Sequence, residues 1–98
     1  MSLPLIFHPD VQDEIDEAYR WHEQQRVPRG DDFLMALDEV YRKLEQMPLI
    51  HQVIWQDVRR ALLRKFSYGV FYCVYADRVE VIAVQHTSRD PARWQSRA

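Results

Sequence analysis

The stretch VFYCVYADRVEVIAVQH, residues 70–86, decides the fold. It is rich in Val, Ile, Tyr and Phe and carries neither proline nor glycine, a composition that suits pleated backbone better than helix. Ala76, Asp77 and Arg78 interrupt it, so it reads as two strands, Val70 to Ala76 and Val79 to His86, joined in a hairpin without an Asn-Gly or Asp-Gly turn signature. In the first of these strands both alternating sets are apolar: Val70, Tyr72 and Val74 on one, Phe71, Cys73 and Tyr75 on the other. A strand of that kind lies in the middle of a sheet and is covered on both faces. Immediately upstream, Val58 to Phe66 reads as a third strand.

Working back toward the N-terminus, the pattern changes period. Val11, Ile15, Ala18, Tyr19 and His22 recur at helical spacing after Pro9 and Asp10, with Asp10 placed to cap and Asp13 and Glu14 loading the first turn, so a helix is expected to about Gln25. Arg26 to Gly30 is a connection. A second helix then follows through Phe33, Leu37, Val40, Tyr41, Leu44 and Met47 and stops at Pro48. Leu3 to His8 reads as a short strand. The two helices form an antiparallel hairpin that needs a sheet to bury its stripe. The expected architecture is therefore α+β, in the order β-α-α-β-β-β-α, with a helical hairpin on a small, mainly antiparallel sheet. The second sheet face stays partly open unless the C-terminal helix or another chain covers it, which makes it a candidate interaction surface.

At 98 residues the chain makes one domain, 1–98, with one core. With 47% hydrophobic and 29% charged residues it is a globular sequence. Cys73, the sole cysteine, excludes an internal disulfide and reads as a small buried thiol. The short apolar run Leu3 to Phe7 is too brief for a signal peptide or a membrane span, so a cytoplasmic location is expected. The net charge of −2 hides a division: residues 1–47 carry eleven acidic side chains against five Lys and Arg, and residues 48–98 carry four against eight. Either this polarity steers an acidic partner to one end, or the helices simply happen to be acidic and the strands basic. The second helix, with Asp31, Asp32, Asp38, Glu39 and Glu45 against Arg42 and Lys43, would be repelled by phosphates, so direct DNA binding is not expected. His8, His22, His51 and His86 share no ligand spacing, and no metal site or cofactor is expected. Trp21 and Trp55 read as packing residues.

The C-terminal run HTSRDPARW, residues 86–94, puts a strand ending, a helix cap at Asp90 and Pro91, and several phosphate-competent side chains together. Beyond it, Arg93 and Arg97 stand four residues apart on one helical face.

The element order resembles the ParE/RelE superfamily of bacterial toxins. The residues that carry the likeness are Phe33, Leu37, Leu44 and Pro48 in the helices, then Arg60, Phe66, Tyr68 and Tyr72, and the ending His86, Arg89, Asp90, Pro91 and Trp94. The resemblance implies a small toxin held silent by an antitoxin, ParD-like or similar. Two activities occur in the superfamily: RelE-like members cut messenger RNA on the ribosome, and ParE-like members poison DNA gyrase. RelE-like nucleases usually carry an arginine where Gly69 stands and end the last strand in His-Tyr or a Tyr-rich terminus, whereas this chain reads His86, Thr87, Ser88. Both departures favour the ParE-like branch, with DNA gyrase as target and no catalysis by the toxin itself. Arg60, Arg64, Arg89, Arg93, Trp94 and Arg97 are then the expected target- or partner-facing residues, on a cationic end left free for docking. In the alternative, nuclease reading, His86, Arg89, Arg64 and Tyr68 would supply the base, cations and acid. A third alternative is an inactive toxin paralogue that serves only as a binding module.

Overall fold

A computed structural model describes residues 2–98. In chain order the elements are β1 (Leu5–Phe7), α1 (Val11–Glu23), α2 (Gly30–Gln46), β2 (Val53–Trp55), β3 (Val58–Leu62), β4 (Tyr68–Val74), β5 (Val79–His86) and α3 (Ala92–Gln95). The five strands lie in the order β1-β5-β4-β3-β2, antiparallel throughout except for β1, which runs parallel to β5. The α+β class and the helical hairpin on a mainly antiparallel sheet are as the sequence indicates.

Two strand boundaries differ from the sequence reading. β3 stops at Leu62 instead of Phe66 because Lys65 adopts a left-handed backbone, φ 68°, and the chain turns there, so the next strand begins at Tyr68 instead of Val70. An additional strand, β2, precedes β3. It is only three residues long and turns into β3 through Gln56, whose φ is 48°.

α1 and α2 are locked by an end-to-end contact. Glu23, the last residue of α1, accepts the Gly30 N–H at 2.9 Å and so satisfies one free donor at the start of α2. A Cβ on Gly30 would stand 2.5 Å from the Glu23 carboxylate and 2.7 Å from the Tyr19 ring, so any larger residue would have to displace this contact. Asp10 occupies the cap position of α1, but its side chain makes no capping bond.

The sheet separates two cores. On the helix-covered side Val11, Ala18, Phe33, Leu37, Val40 and Leu44 pack on Ala61, Val70, Tyr72, Val79, Val81 and Val84. On the opposite side Val58, Phe71, Cys73, Ile82 and Ala83 pack beneath Trp94 of α3. The two apolar sets of β4 thus face two different cores, as their alternation requires. Trp94 lies stacked on Phe71 with ring centroids 4.9 Å apart and meets Trp55 edge-on at 5.8 Å. The chain's own C-terminus covers the middle of the face that the sequence left partly open, while Ile6, Leu62 and Tyr75 toward its edges stay exposed.

A bulge in β5 determines what reaches the end of the sheet. Phe71 pairs with Ala83 but Tyr72 pairs with Val81, so Ile82 is an extra residue. Before the bulge Val79 and Val81 face the helices; after it Val84 and His86 do, and His86 comes to lie directly across from Tyr68.

Candidate functional site

That placement makes one wall of a cleft of about 580 Å³ between α1, the start of β4 and the end of β5. Its floor is aromatic. His22, only 6% exposed, stacks on Phe33 with centroids 4.9 Å apart, meets Phe66 edge-on and lies tilted against Tyr68. The His22 Nδ1 lies 2.7 Å from the Ala18 carbonyl, so Nδ1 is the nitrogen that carries a proton and donates. His86 has the opposite arrangement: its Nδ1 accepts the Ser88 N–H at 3.1 Å, placing the ring proton of the neutral form on Nε2. Its ring meets Tyr68 edge-on at 5.3 Å. Burial holds the Tyr68 phenol above its ordinary pKa, with Glu17 adding to the shift and Arg89 opposing it. The phenol therefore stays protonated at neutral pH and acts as a hydrogen-bonding group.

The rim is cationic. Arg29 lies over the Phe66 ring at 4.6 Å, Lys65 stands at the β3–β4 turn, and Arg89 and Arg93 rise from the C-terminal segment. Two acids of α1 answer the last pair: Glu17 lies 3.9 Å from Arg89, and Glu14 lies 3.5 Å from Arg93 and 3.0 Å from Arg97. The charge division along the chain is thus partly consumed inside the fold, where the acidic first helix meets the basic C-terminus.

The residues expected at the site separate into groups. Tyr68, His86, Arg89 and Arg93 line the cleft. Arg64 does not; it borders a shallower depression beside Asp32, Met35 and Glu39 of α2. Arg60 pairs opposite Phe71 and lays its stem over Gly69, on the other face of the sheet. Two expectations are corrected. Trp94, expected to face a target or partner, is 5% exposed and packs in the second core. Arg97, read as free for docking, has a side chain only 12% exposed, bonded to Glu14 and to the Ile82 carbonyl. Trp21 is corrected in the other direction: read as a packing residue, it is 56% exposed at the cleft. Asp90 does act as a cap, its Oδ1 accepting the Ala92 N–H at 2.9 Å.

Glu14, His22, Arg29 and Lys65 are site residues that the sequence reading does not single out. A signal exists for two of them, since Glu14, Ala18 and His22 fall at intervals of four on the buried stripe of α1. Nothing local distinguishes Arg29 or Lys65, which reach the cleft only through the α1–α2 link and the β3–β4 turn. Among the described residues no cluster of three His, Cys, Asp or Glu stands close enough to hold a metal ion. Burial, with Asp57 and Glu80 nearby, pushes the Cys73 thiol up, away from the thiolate range.

The α+β fold is shared with chains solved in toxin–antitoxin systems. The chain superposes with a TM-score of 0.74 on a structure of the chromosomal ParDE toxin–antitoxin system of P. aeruginosa, at 12% identity, covering 87% of this chain and 96% of that one. With the E. coli DinJ-YafQ toxin–antitoxin complex the score is 0.63, at 10% identity and 90% and 96% coverage. Sequence gives the family directly. Residues 5–91 match the family model of the ParE toxin of the type II toxin–antitoxin system parDE, and this chain belongs to that family. It is also 25% identical to Toxin ParE2 of Mycobacterium tuberculosis over 92 residues, 93% of this chain and 88% of that protein.

Proposed function

We propose that this toxin poisons DNA gyrase when it is free and is silenced by a ParD-like antitoxin bound across its cleft. The observation that carries the reading is the match to the ParE family over residues 5–91. The site supports it in kind: a poison requires a complementary surface, and the cleft offers an aromatic floor with Arg89 and Arg93 on its rim. The nuclease reading keeps His86, Tyr68 and Arg89 together in the cleft and loses only Arg64, which borders a different depression. The protein would act in the cytoplasm, where gyrase and DNA are found; among the described residues no helix is long and apolar enough to cross a membrane.

Induction of the chain without its antitoxin is expected to give filamentous cells, DNA breaks and an SOS response. Rapid arrest of translation with messages cut on ribosomes would replace this reading with the nuclease one, and unimpaired growth would leave an inactive binding module.

A further inference from the structure

Near its end, β5 loses its outer neighbour. β1 reaches only to Phe7, opposite Val81, so beyond that point no strand among the described residues lies along this edge of β5. Two side chains take the place of a strand. Glu14 Oε1 accepts the Val84 N–H at 3.0 Å, and Arg97 Nη1 donates to the Ile82 carbonyl at 3.0 Å. The same Arg97 nitrogen also donates to Glu14 Oε2 at 3.0 Å, and Arg93 approaches that oxygen at 3.5 Å. The Glu14 side chain is 7% exposed. A carboxylate this deeply placed is costly unless donors surround it, and here a backbone amide and two guanidinium groups do.

The arrangement does more than close an edge. α3 is a single turn and cannot hold its own position. On one side Trp94 fastens it to Phe71; on the other, Glu14 draws in Arg93 and Arg97, the latter 83 positions away in sequence. With Glu14 in place, Arg93 stands at the cleft rim beside Arg89. The geometry points to Glu14 as the positioning residue of the C-terminal docking surface, acting through Arg93 and Arg97 and not by touching the target. This inference rests on the reading that the cleft rim meets gyrase.

The test uses the full chain with Glu14→Gln, Arg97→Gln, both together, and Arg97→Lys. The Glu14→Gln side chain keeps an oxygen for the Val84 N–H, so that amide should remain slow to exchange, while residues 92–98 should exchange about tenfold faster. Inhibition of supercoiling by purified gyrase should need about tenfold more of either single variant, and the loss in the double variant should fall well short of the product of the two, because both changes remove the shared Glu14–Arg97 contact. Arg97→Lys, which keeps a cation against Glu14, should recover most of the inhibition. Wild-type inhibition by Glu14→Gln, or losses that multiply in the double variant, would overturn the inference. If the wild-type chain does not inhibit gyrase, the functional reading fails on its own. The exchange comparison then still decides whether Glu14 positions the C-terminal segment, because unchanged exchange at residues 92–98 in Glu14→Gln would refute it.

Discussion

The two faces of the sheet are covered by very different means. One is covered by two helices, α1 and α2, whose apolar stripes repeat over several turns, so each buried side chain has neighbours above and below it. The other is covered by a four-residue helix and depends on one ring, Trp94, laid on Phe71 and flanked by Trp55. The helical face is where stability is distributed; the opposite face is where it is concentrated. Concentration has a consequence for function, because the segment that covers the second face also carries Arg89 and Arg93 to the cleft rim.

Truncating the central ring on each face tests this contrast with the largest expected effects. Phe33→Ala and Trp94→Ala each remove a fully or nearly fully buried ring, and each should cost about 3–5 kcal/mol. The loss should differ in extent. Phe33→Ala leaves a cavity inside the helical core and should lower the stability of the whole domain in one cooperative step. Trp94→Ala should in addition release residues 92–98, seen as rapid amide exchange there while α1 and α2 stay protected. Equal protection of the C-terminus in both variants would show that α3 does not depend on its tryptophan.

The same contrast explains what can be read from residues alone. The helices are legible because α1 and α2 repeat their apolar positions over many turns, and β4 is legible because both of its alternating sets are apolar. β2 is not, since three residues, Val53–Trp55, provide too short a pattern to distinguish from a loop. The bulge at Ile82 is also hidden: in VEVIAVQH an extra residue leaves the run apolar, yet it changes the face on which Val84 and His86 stand. Trp94 and Arg97 mislead for a related reason. An aromatic and an arginine near a chain end are ordinary surface residues until a distant partner, Phe71 or Glu14, draws them in, and such pairings have no local signature. For the cleft, Tyr68, His86, Arg89 and Arg93 can be anticipated as residue types, whereas its aromatic floor around His22 depends on how α1 meets the sheet.

A smaller effect is expected at the edge of the second face. Gln56 holds a left-handed backbone, φ 48°, in the two-residue link between Trp55 and Val58, a conformation in which a side chain is strained and glycine is not. Gln56→Gly should therefore stabilise the domain by up to about 1 kcal/mol, less whatever the added freedom of the unfolded chain takes back. Denaturant titration measures it. A clear loss of stability would mean that the Gln56 side chain makes a contribution the turn geometry does not reveal.

The least effect, and the one that probes the better-covered face, is a pH dependence at His51. This residue follows α2 and meets Tyr72 edge-on at 6.2 Å, and its Nε2 is buried without a hydrogen-bond partner among the described residues. Burial, and to a lesser degree the charges of Lys43 and Arg59, hold its pKa below the ordinary histidine value of 6.5. In the unfolded chain His51 takes up a proton near pH 6.5, whereas in the folded chain it resists protonation to a lower pH. The unfolded state thus binds more protons across that window, so the contribution of His51 to stability is present above pH 6.5 and declines as the pH falls through it. His51→Gln removes the titration while keeping a polar group of similar size. Chemical denaturation at about pH 7.5 and about pH 5.5 should show the wild type losing more stability than His51→Gln between the two, with the other histidines cancelling in the comparison. An identical loss in both proteins would mean that the turn after α2 opens enough to hydrate the ring, and that even the helix-covered face is loosely sealed where its second helix ends.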